Sequence, residues 1–357
     1  MVFVRTTPPR PVQVTAVFPE LAPLARPAIR LHPRPGSPSV GDSSVGGPLL
    51  WPAGEPWPHC EDVHAHVDTG FRESLSEVRL DRLQSRWRPD ERPPAYAPEV
   101  EALRERAARC AERLDAGPPW PAECPVPLLP VAQLFLRDIP LLRPPGQADL
   151  LQVLWCPYEH EPDCKPATAV FWRSAAEVGD ILATPPEPYE AEYPGYVPEP
   201  CVLAPEAITE YPNSLDLSPE LRRVLKDWNR WQAAGSGVDS SYAPYPDAFY
   251  SIHLGNAPGW KVGGWPPWGR TDPNPRYCAA CGVQMVPLLT IASFEWSGDE
   301  GRSSWVPQEE QVSALAGTRV LDHYPSQPTR VEVGSTDNMQ IYVCPDSPEH
   351  PHTDLIQ

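Results

Sequence analysis

At 357 residues the chain can bury one large core or two of ordinary size. Its 29 basic and 47 acidic residues leave a net charge of −18, which argues against direct nucleic-acid binding, because that affinity comes largely from Lys and Arg neutralising phosphates. Fifty-two prolines, far above the usual ~5%, together with 13 tryptophans and 41% hydrophobic residues, point to a folded, loop-rich protein rather than long helices or a disordered chain.

In chain order, residues 1–44 read as an extended, proline-punctuated entry segment with a candidate strand at 12–18. The first 35 residues hold no 7–15-residue apolar core of a secretory signal, and no run of ~20 apolar residues occurs anywhere. The expectation is a cytoplasmic protein, not a membrane one, whose nine cysteines stay reduced and available to metal. A first lobe spans 45–183, with an insertion at 61–123 carrying helical patterns at about 71–87 and 98–116, the second stopping at Gly117-Pro118. Strands are predicted at 128–136, 150–155 and 167–172. Residues 184–217 read as a proline-rich linker. A second lobe, 218–357, opens with a helix from Ser218-Pro219 that places Leu221, Val224, Leu225, Trp228 and Trp231 on one face and stops near Gly235. Its strands are predicted at 285–295 and 339–343. The fold class is mainly β (α+β), with two pseudo-symmetric lobes from an internal duplication.

That duplication rests on one pattern met twice. Val45-Gly46-Gly47 is followed by Trp51 and Cys60, and Val262-Gly263-Gly264 by Trp268 and Cys278. Cys124 and Cys281 each have a proline six positions later, Pro130 and Pro287, inside an apolar run. Asp149 precedes Cys156 by seven residues, as Asp337 precedes Cys344, and His160 and His350 follow. Each half thus offers a Cys3His set: Cys60, Cys124, Cys156 and His160, then Cys278, Cys281, Cys344 and His350. Four thiolate and imidazole ligands suit tetrahedral zinc and leave no open position, so two structural zinc ions are predicted. His59, His64, His66 and Cys164 compete with His160 for the fourth place, and His352 with His350. The alternative is that the cysteines are buried thiols packing as small hydrophobes. Cys110 falls on the apolar face of a helical pattern, and Cys201 has no partner in the repeat.

Enzyme signatures are absent: there is no nucleophile elbow, P-loop, dinucleotide-binding glycine pattern or H-E-x-x-H. Val-Gly-Gly reads as a tight turn rather than a phosphate cradle, and Lys261 as a surface lysine. Trp260, Trp265 and Trp268 cluster with Pro266 and Pro267 around the second Gly-Gly, with Trp51 in the matching place of the first copy. They are candidate peptide-binding residues, since aromatic anchors dominate interface energetics, with lobe-lobe core as the competing reading.

The string Lys261-Val262-Gly263-Gly264-Trp265-Pro266-Pro267-Trp268, then Cys278-x-x-Cys281-Gly282, then Gln340-Ile341-Tyr342-Val343-Cys344, resembles the eukaryotic programmed cell death 2 family and the bacterial YwqG-like family, which is thought to share that domain. The resemblance covers most of residues 258–345 and, more weakly, 45–160. It implies a duplicated, mainly β fold with pseudo-twofold symmetry. Eukaryotic members act as dedicated chaperones of a basic ribosomal protein, whereas the bacterial relatives have no settled activity, some lying near toxin–immunity loci. By the same resemblance Cys278, Cys281 and Cys344 match cysteine positions of the eukaryotic motif, and Gly263 and Gly264 its glycines. The helical insertion, the long linker and the final Cys-Pro…His depart from that pattern, so the partner's identity does not transfer.

The leading expectation is a non-enzymatic, zinc-stabilised protein-binding protein, chaperone- or adaptor-like, with a basic polypeptide as candidate partner. A toxin-neutralising immunity protein is the first alternative, and an enzyme acting on RNA or a small molecule the second. The oligomeric state is left open.

Overall fold

The computed structural model describes residues 4–62, 64, 73–86, 92, 96–116, 125–235, 237–296, 302–311 and 325–357. Twelve strands form two six-stranded antiparallel sheets. They are β1 (Arg26–Arg30), β2 (Arg34–Pro35), β3 (Ser44–Val45), β4 (Leu129–Phe135), β5 (Leu150–His160), β6 (Lys165–Arg173), β7 (Cys201–Val202), β8 (Glu206–Glu210), β9 (Lys261–Gly263), β10 (Val286–Ala292), β11 (Asn338–Val343) and β12 (Thr353–Ile356). One sheet runs β8-β1-β9-β10-β11-β12 and the other β2-β7-β3-β4-β5-β6. Among the described residues helices are few and mostly short.

The two sheets agree in detail. Each Val-Gly-Gly strand lies beside a long strand that is bulged just after a proline. Pro130 opposes Leu154 and Ala132 opposes Val153, while Pro287 opposes Tyr342 and Leu289 opposes Ile341. An extra residue on one strand bends it and leaves a backbone group unpaired, and proline, which has no N–H to donate, tolerates that position. The strands that complete each sheet cross over. The chain passes from β1 to β2 through Leu31-His32-Pro33 and from β7 to β8 through Leu203-Ala204-Pro205, changing sheet both times. Residues expected to be an entry segment and a linker therefore supply two strands to each sheet. Their prolines hide them from a period-two search, because the strands are two to five residues long.

Residues of both sheets form one apolar core, with Ile29, Leu31, Val131, Leu151 and Val153 packed together with Val262, Leu289, Ile291, Met339 and Ile341. The proline-rich stretch before β7 joins this core: Tyr196 and Val197 are buried, and the Trp155 indole donates to the Tyr196 carbonyl at 2.8 Å. The edge strands β6 and β12 are also tied together, since Asp354 accepts from Lys165 Nζ and Thr168 Oγ1, each at 2.5 Å.

The helical patterns at about 71–87 and 98–116 fall on helices Leu75–Ser85 and Tyr96–Ala116. A capping box between Ser74 and Glu77 starts the first. The expected strand at 12–18 is instead a helical turn, Val14–Val17, running into a 3-10 segment, Pro19–Leu24. Phe18 packs there on Trp231, ring centroids 4.6 Å apart, in a smaller core with Leu225, Phe249 and Leu254. The single helix expected from Ser218 is two, Pro219–Leu225 and Trp228–Ala233, because the Asp227 side chain accepts from Asn229 N and restarts the chain as an N-cap. No helix among the described residues is long and apolar enough to cross a membrane.

Candidate metal centres

In two places four Cys and His ligand atoms converge, all lying within 4.8 Å of one another. The second of these begins in the turn between Tyr277 and Gln284, which bridge each other. Cys278 N donates to Val283 O at 2.9 Å and Gly282 N to Cys278 O at 2.8 Å, folding Cys278-x-x-Cys281 so that both sulfurs face one side. Gly282 has φ +75°, in the left-handed region that favours glycine. Cys344 follows directly on β11, and His350 comes in on the turn after it. Cys278 Sγ lies 3.4 Å from His350 Nδ1 and Cys281 Sγ 3.5 Å from Cys344 Sγ. The Cys3His set expected from the sequence is thus assembled.

The first group is built on β5, whose register shifts between Trp155 and Glu159 so that Cys156 and His160 approach one another. Cys60 comes from the short strand His59–Cys60, paired with Val126–Pro127. Cys60 Sγ is 3.8 Å from His160 Nε2, and Cys156 Sγ is 3.5 Å from His64 Nε2. The fourth member of the group among the described residues is therefore His64, giving a Cys2His2 set. Cys124, expected here from the repeat, lies outside the described residues, as does His66. His59 is exposed with Nδ1 on the Trp57 carbonyl, and Cys164 is exposed beside Glu161; neither joins the group. His352 bonds Thr168 instead of the second centre. Cys201 is a buried thiol on the Pro328 carbonyl. The signal for His64 was present in the sequence, because Cys60…His64 repeats the four-residue spacing of Cys156…His160 on a different segment.

These distances suit a tetrahedral metal. With metal–sulfur bonds of about 2.3 Å and metal–nitrogen bonds of about 2.0–2.1 Å, ligand atoms stand roughly 3.5–3.8 Å apart. A backbone N–H two residues further on favours the thiolate at each sulfur, Asp62 for Cys60, Tyr158 for Cys156, Ala280 for Cys278, Val283 for Cys281 and Asp346 for Cys344, although Cys156 and Cys281 are pushed upward overall by burial and by the neighbouring thiols. Hydrogen bonding from the Cys156 thiol, then from His160 and His64, pulls Cys60 down to about 2, while sharing that proton and burial push Cys156 upward. In the second group burial raises Cys344, but the Ser347 N–H and His350 outweigh it and hold the thiol near 7. Cys344 first and Cys278 second raise His350, as Cys60 raises His160, so protons compete with a metal for both histidines. His160 Nδ1 lies 3.2 Å from Asp62 Oδ2, leaving Nε2 toward the sulfurs. A carboxylate behind a histidine in this way fixes its tautomer and ring orientation.

The tryptophans named as binding residues are mostly interior. Trp51 is 1% exposed and shares an apolar cluster with Trp57, Cys60 and Cys156 beside the first centre. Trp260, also 1% exposed, belongs to the main core. Trp265 is half-buried under the Arg26 guanidinium, 3.4 Å from its ring centroid, with Nε1 on the Leu24 carbonyl. Trp268 is buried with Nε1 on Asp216 at 2.8 Å. An exposed aromatic groove at these residues is therefore overturned: rings of this area find more favourable burial against the sheets, and three of the four indole N–H groups still reach an oxygen.

Lys261 is corrected too. It is fully buried, and its ammonium donates to Glu210 at 2.7 and 2.9 Å and to the Trp265 carbonyl at 3.0 Å. Glu210 also accepts from Ala257 N and Trp265 N, both at 2.8 Å. The carboxylate presses on Gly264, where a Cβ would stand 2.2 Å from Glu210 Oε2. The Lys-Val-Gly-Gly string thus encodes a closed, fully bonded ion pair with no room for a substrate.

No protein-family model matches this chain, and no curated protein sequence does.

Proposed function

We propose that each Cys/His group binds one structural zinc ion, in a Cys2His2 site formed by Cys60, His64, Cys156 and His160 and a Cys3His site formed by Cys278, Cys281, Cys344 and His350. The closure of both sets carries this reading: four protein ligands fill a tetrahedron, so zinc there cross-links strand ends and loops without offering a position to water or substrate. Cross-links of this kind suit a chain whose short strands and proline-rich loops contribute few ladder hydrogen bonds. The matching strand orders and bulges support descent of the two sheets from one duplicated unit, which agrees with the resemblance to the programmed cell death 2 and YwqG-like families.

On this scaffold the protein acts as a non-enzymatic, cytoplasmic, chaperone- or adaptor-like binder of a basic polypeptide. The net charge of −18 favours a basic partner, because summed surface charge steers association with its opposite. Burial of Lys261 in a satisfied ion pair removes the most catalytic-looking residue from consideration. Native mass spectrometry of the protein purified gently from its own host tests both parts. Two zinc ions and a copurified basic chain are expected; a metal-free protein with no partner would return the cysteines to ordinary packing and overturn the reading.

A further inference from the structure

The two Cys/His groups differ in what solvent can reach. Cys60 and Cys156 are both buried in an apolar cluster with Trp51, Trp57 and Tyr158, and the His64 ring stacks on Tyr158 with centroids 4.7 Å apart. In the second group Cys278 and Cys344 are also buried, beside Met285 and Tyr342, whereas Cys281 is exposed. The turn that carries it opens outward, since a Cβ added at Gly282 would meet nothing within 4 Å. The exposed Cys281 sulfur lies 3.5 Å from the buried Cys344 sulfur. A disulfide of about 2.05 Å requires the pair to close by roughly 1.5 Å, a movement that an open turn can supply.

Cys164 is the other exposed cysteine among the described residues, and its surroundings are different. Its thiol donates to a carboxylate, Glu161 at 3.8 Å, not to a second sulfur. Partial desolvation, then the Glu161 and Glu159 carboxylates, raise its pKa, which keeps it in the less reactive thiol form. Exposure and a neighbouring sulfur thus coincide at Cys281.

We propose that Cys281 is the oxidant-sensitive thiol of this chain, and that a peroxide joins it to Cys344, releasing zinc from the second centre and sparing the first. The assignment rests on the zinc reading, because a metal-bound sulfur is held as the thiolate, the nucleophilic form. The Cys281 thiolate attacks one peroxide oxygen: an S–O bond forms, the O–O bond breaks, and hydroxide leaves to take a proton and become water. The Cys344 thiolate then attacks that sulfur, forming the S–S bond and expelling a second hydroxide, which is protonated likewise. Each sulfur has lost one electron, the peroxide has gained two, and zinc is left with Cys278 and His350 alone. Cys344 and His350 lie in the connection between β11 and β12, so release frees that connection two residues before His352, which bonds Thr168 on the other sheet.

The test treats the full zinc-loaded chain with hydrogen peroxide, follows zinc with a chromophoric chelator and maps every cysteine by differential alkylation and mass spectrometry. One zinc equivalent is expected to leave at least about tenfold faster than the other, with a Cys281–Cys344 disulfide formed and Cys60 and Cys156 unmodified. Amide exchange in the β11–β12 connection should rise with it, and a dithiol reductant with added zinc should restore the parent. Cys164→Ser is expected to release zinc as the parent does. Cys281→His, which keeps a ligand but no sulfur, is expected to hold it at least about tenfold longer; if that variant takes up no zinc, the parent's cysteine map decides alone. Equal release from both centres, oxidation confined to Cys164, or a disulfide of Cys60 with Cys156 ahead of the second centre would overturn the assignment and leave the zinc reading standing. A chain that holds no zinc before oxidant is added removes both.

Discussion

Lys261→Met removes one half of a fully buried ion pair, and its effect follows from what is left behind. In the parent all three ammonium protons are used, on two Glu210 oxygens and the Trp265 carbonyl, and both side chains are 0% exposed. Methionine fills the volume but leaves the Glu210 carboxylate buried against only the Ala257 and Trp265 N–H groups. Breaking a buried pair from one side costs about 3–5 kcal/mol, a large part of the 5–15 kcal/mol that holds a typical domain folded. Glu210→Met should cost about the same, by stranding the ammonium. The double variant should fall well short of the sum, because no charge is then buried alone. The assay is urea unfolding of the zinc-loaded protein followed by tryptophan fluorescence, with zinc content checked in each variant. A Lys261→Met loss below ~1 kcal/mol, or strictly additive single effects, would refute the reasoning.

Three further outcomes are expected. Asp62→Asn should weaken metal at the first centre by about 10–100-fold, as loss of a carboxylate behind a metal-bound histidine does, and leave the second centre unchanged; competition with a chromophoric chelator reads both affinities. Gly264→Ala, which drives a Cβ into Glu210 at a residue with φ +72°, should destabilise far more than Gly282→Ala, where φ is similar but the space is open and only the roughly 1–2 kcal/mol of left-handed strain applies; thermal melts compare the two. Burial, then the nearby Arg30, lowers the His32 pKa to about 4 from 6.5, so between those values the unfolded chain binds the proton and the folded one does not. Stability from this residue is complete above pH ~6.5 and is lost as the pH falls toward ~4, by about 3 kcal/mol. The difference in unfolding free energy between parent and His32→Asn across that window isolates the effect, and a flat difference would contradict it.

Sequence by itself determined what local chemistry and spacing can encode. Cys278-x-x-Cys281-Gly282 states a turn and two sulfurs on one side of it, because glycine admits the positive φ that closes the loop. Proline at the same offset from Cys124 and Cys281 marks the bulged strands, and the helical period of residues 98–116 emerges as a helix. Only the tertiary structure decided which distant groups meet. His64 and His160 were rivals on spacing and come together in one Cys/His group, where the β5 register shift lies between Trp155 and Glu159. Lys261 looked like a surface residue because its partner, Glu210, lies 51 positions away on a strand hidden among prolines. The tryptophans read either as binding anchors or as core, and packing made Trp51, Trp260 and Trp268 core, because aromatic content says nothing about which face a sheet will cover. Burial and ion pairing depend on the whole packed arrangement, whereas turns, caps and bulges depend on a few neighbouring residues.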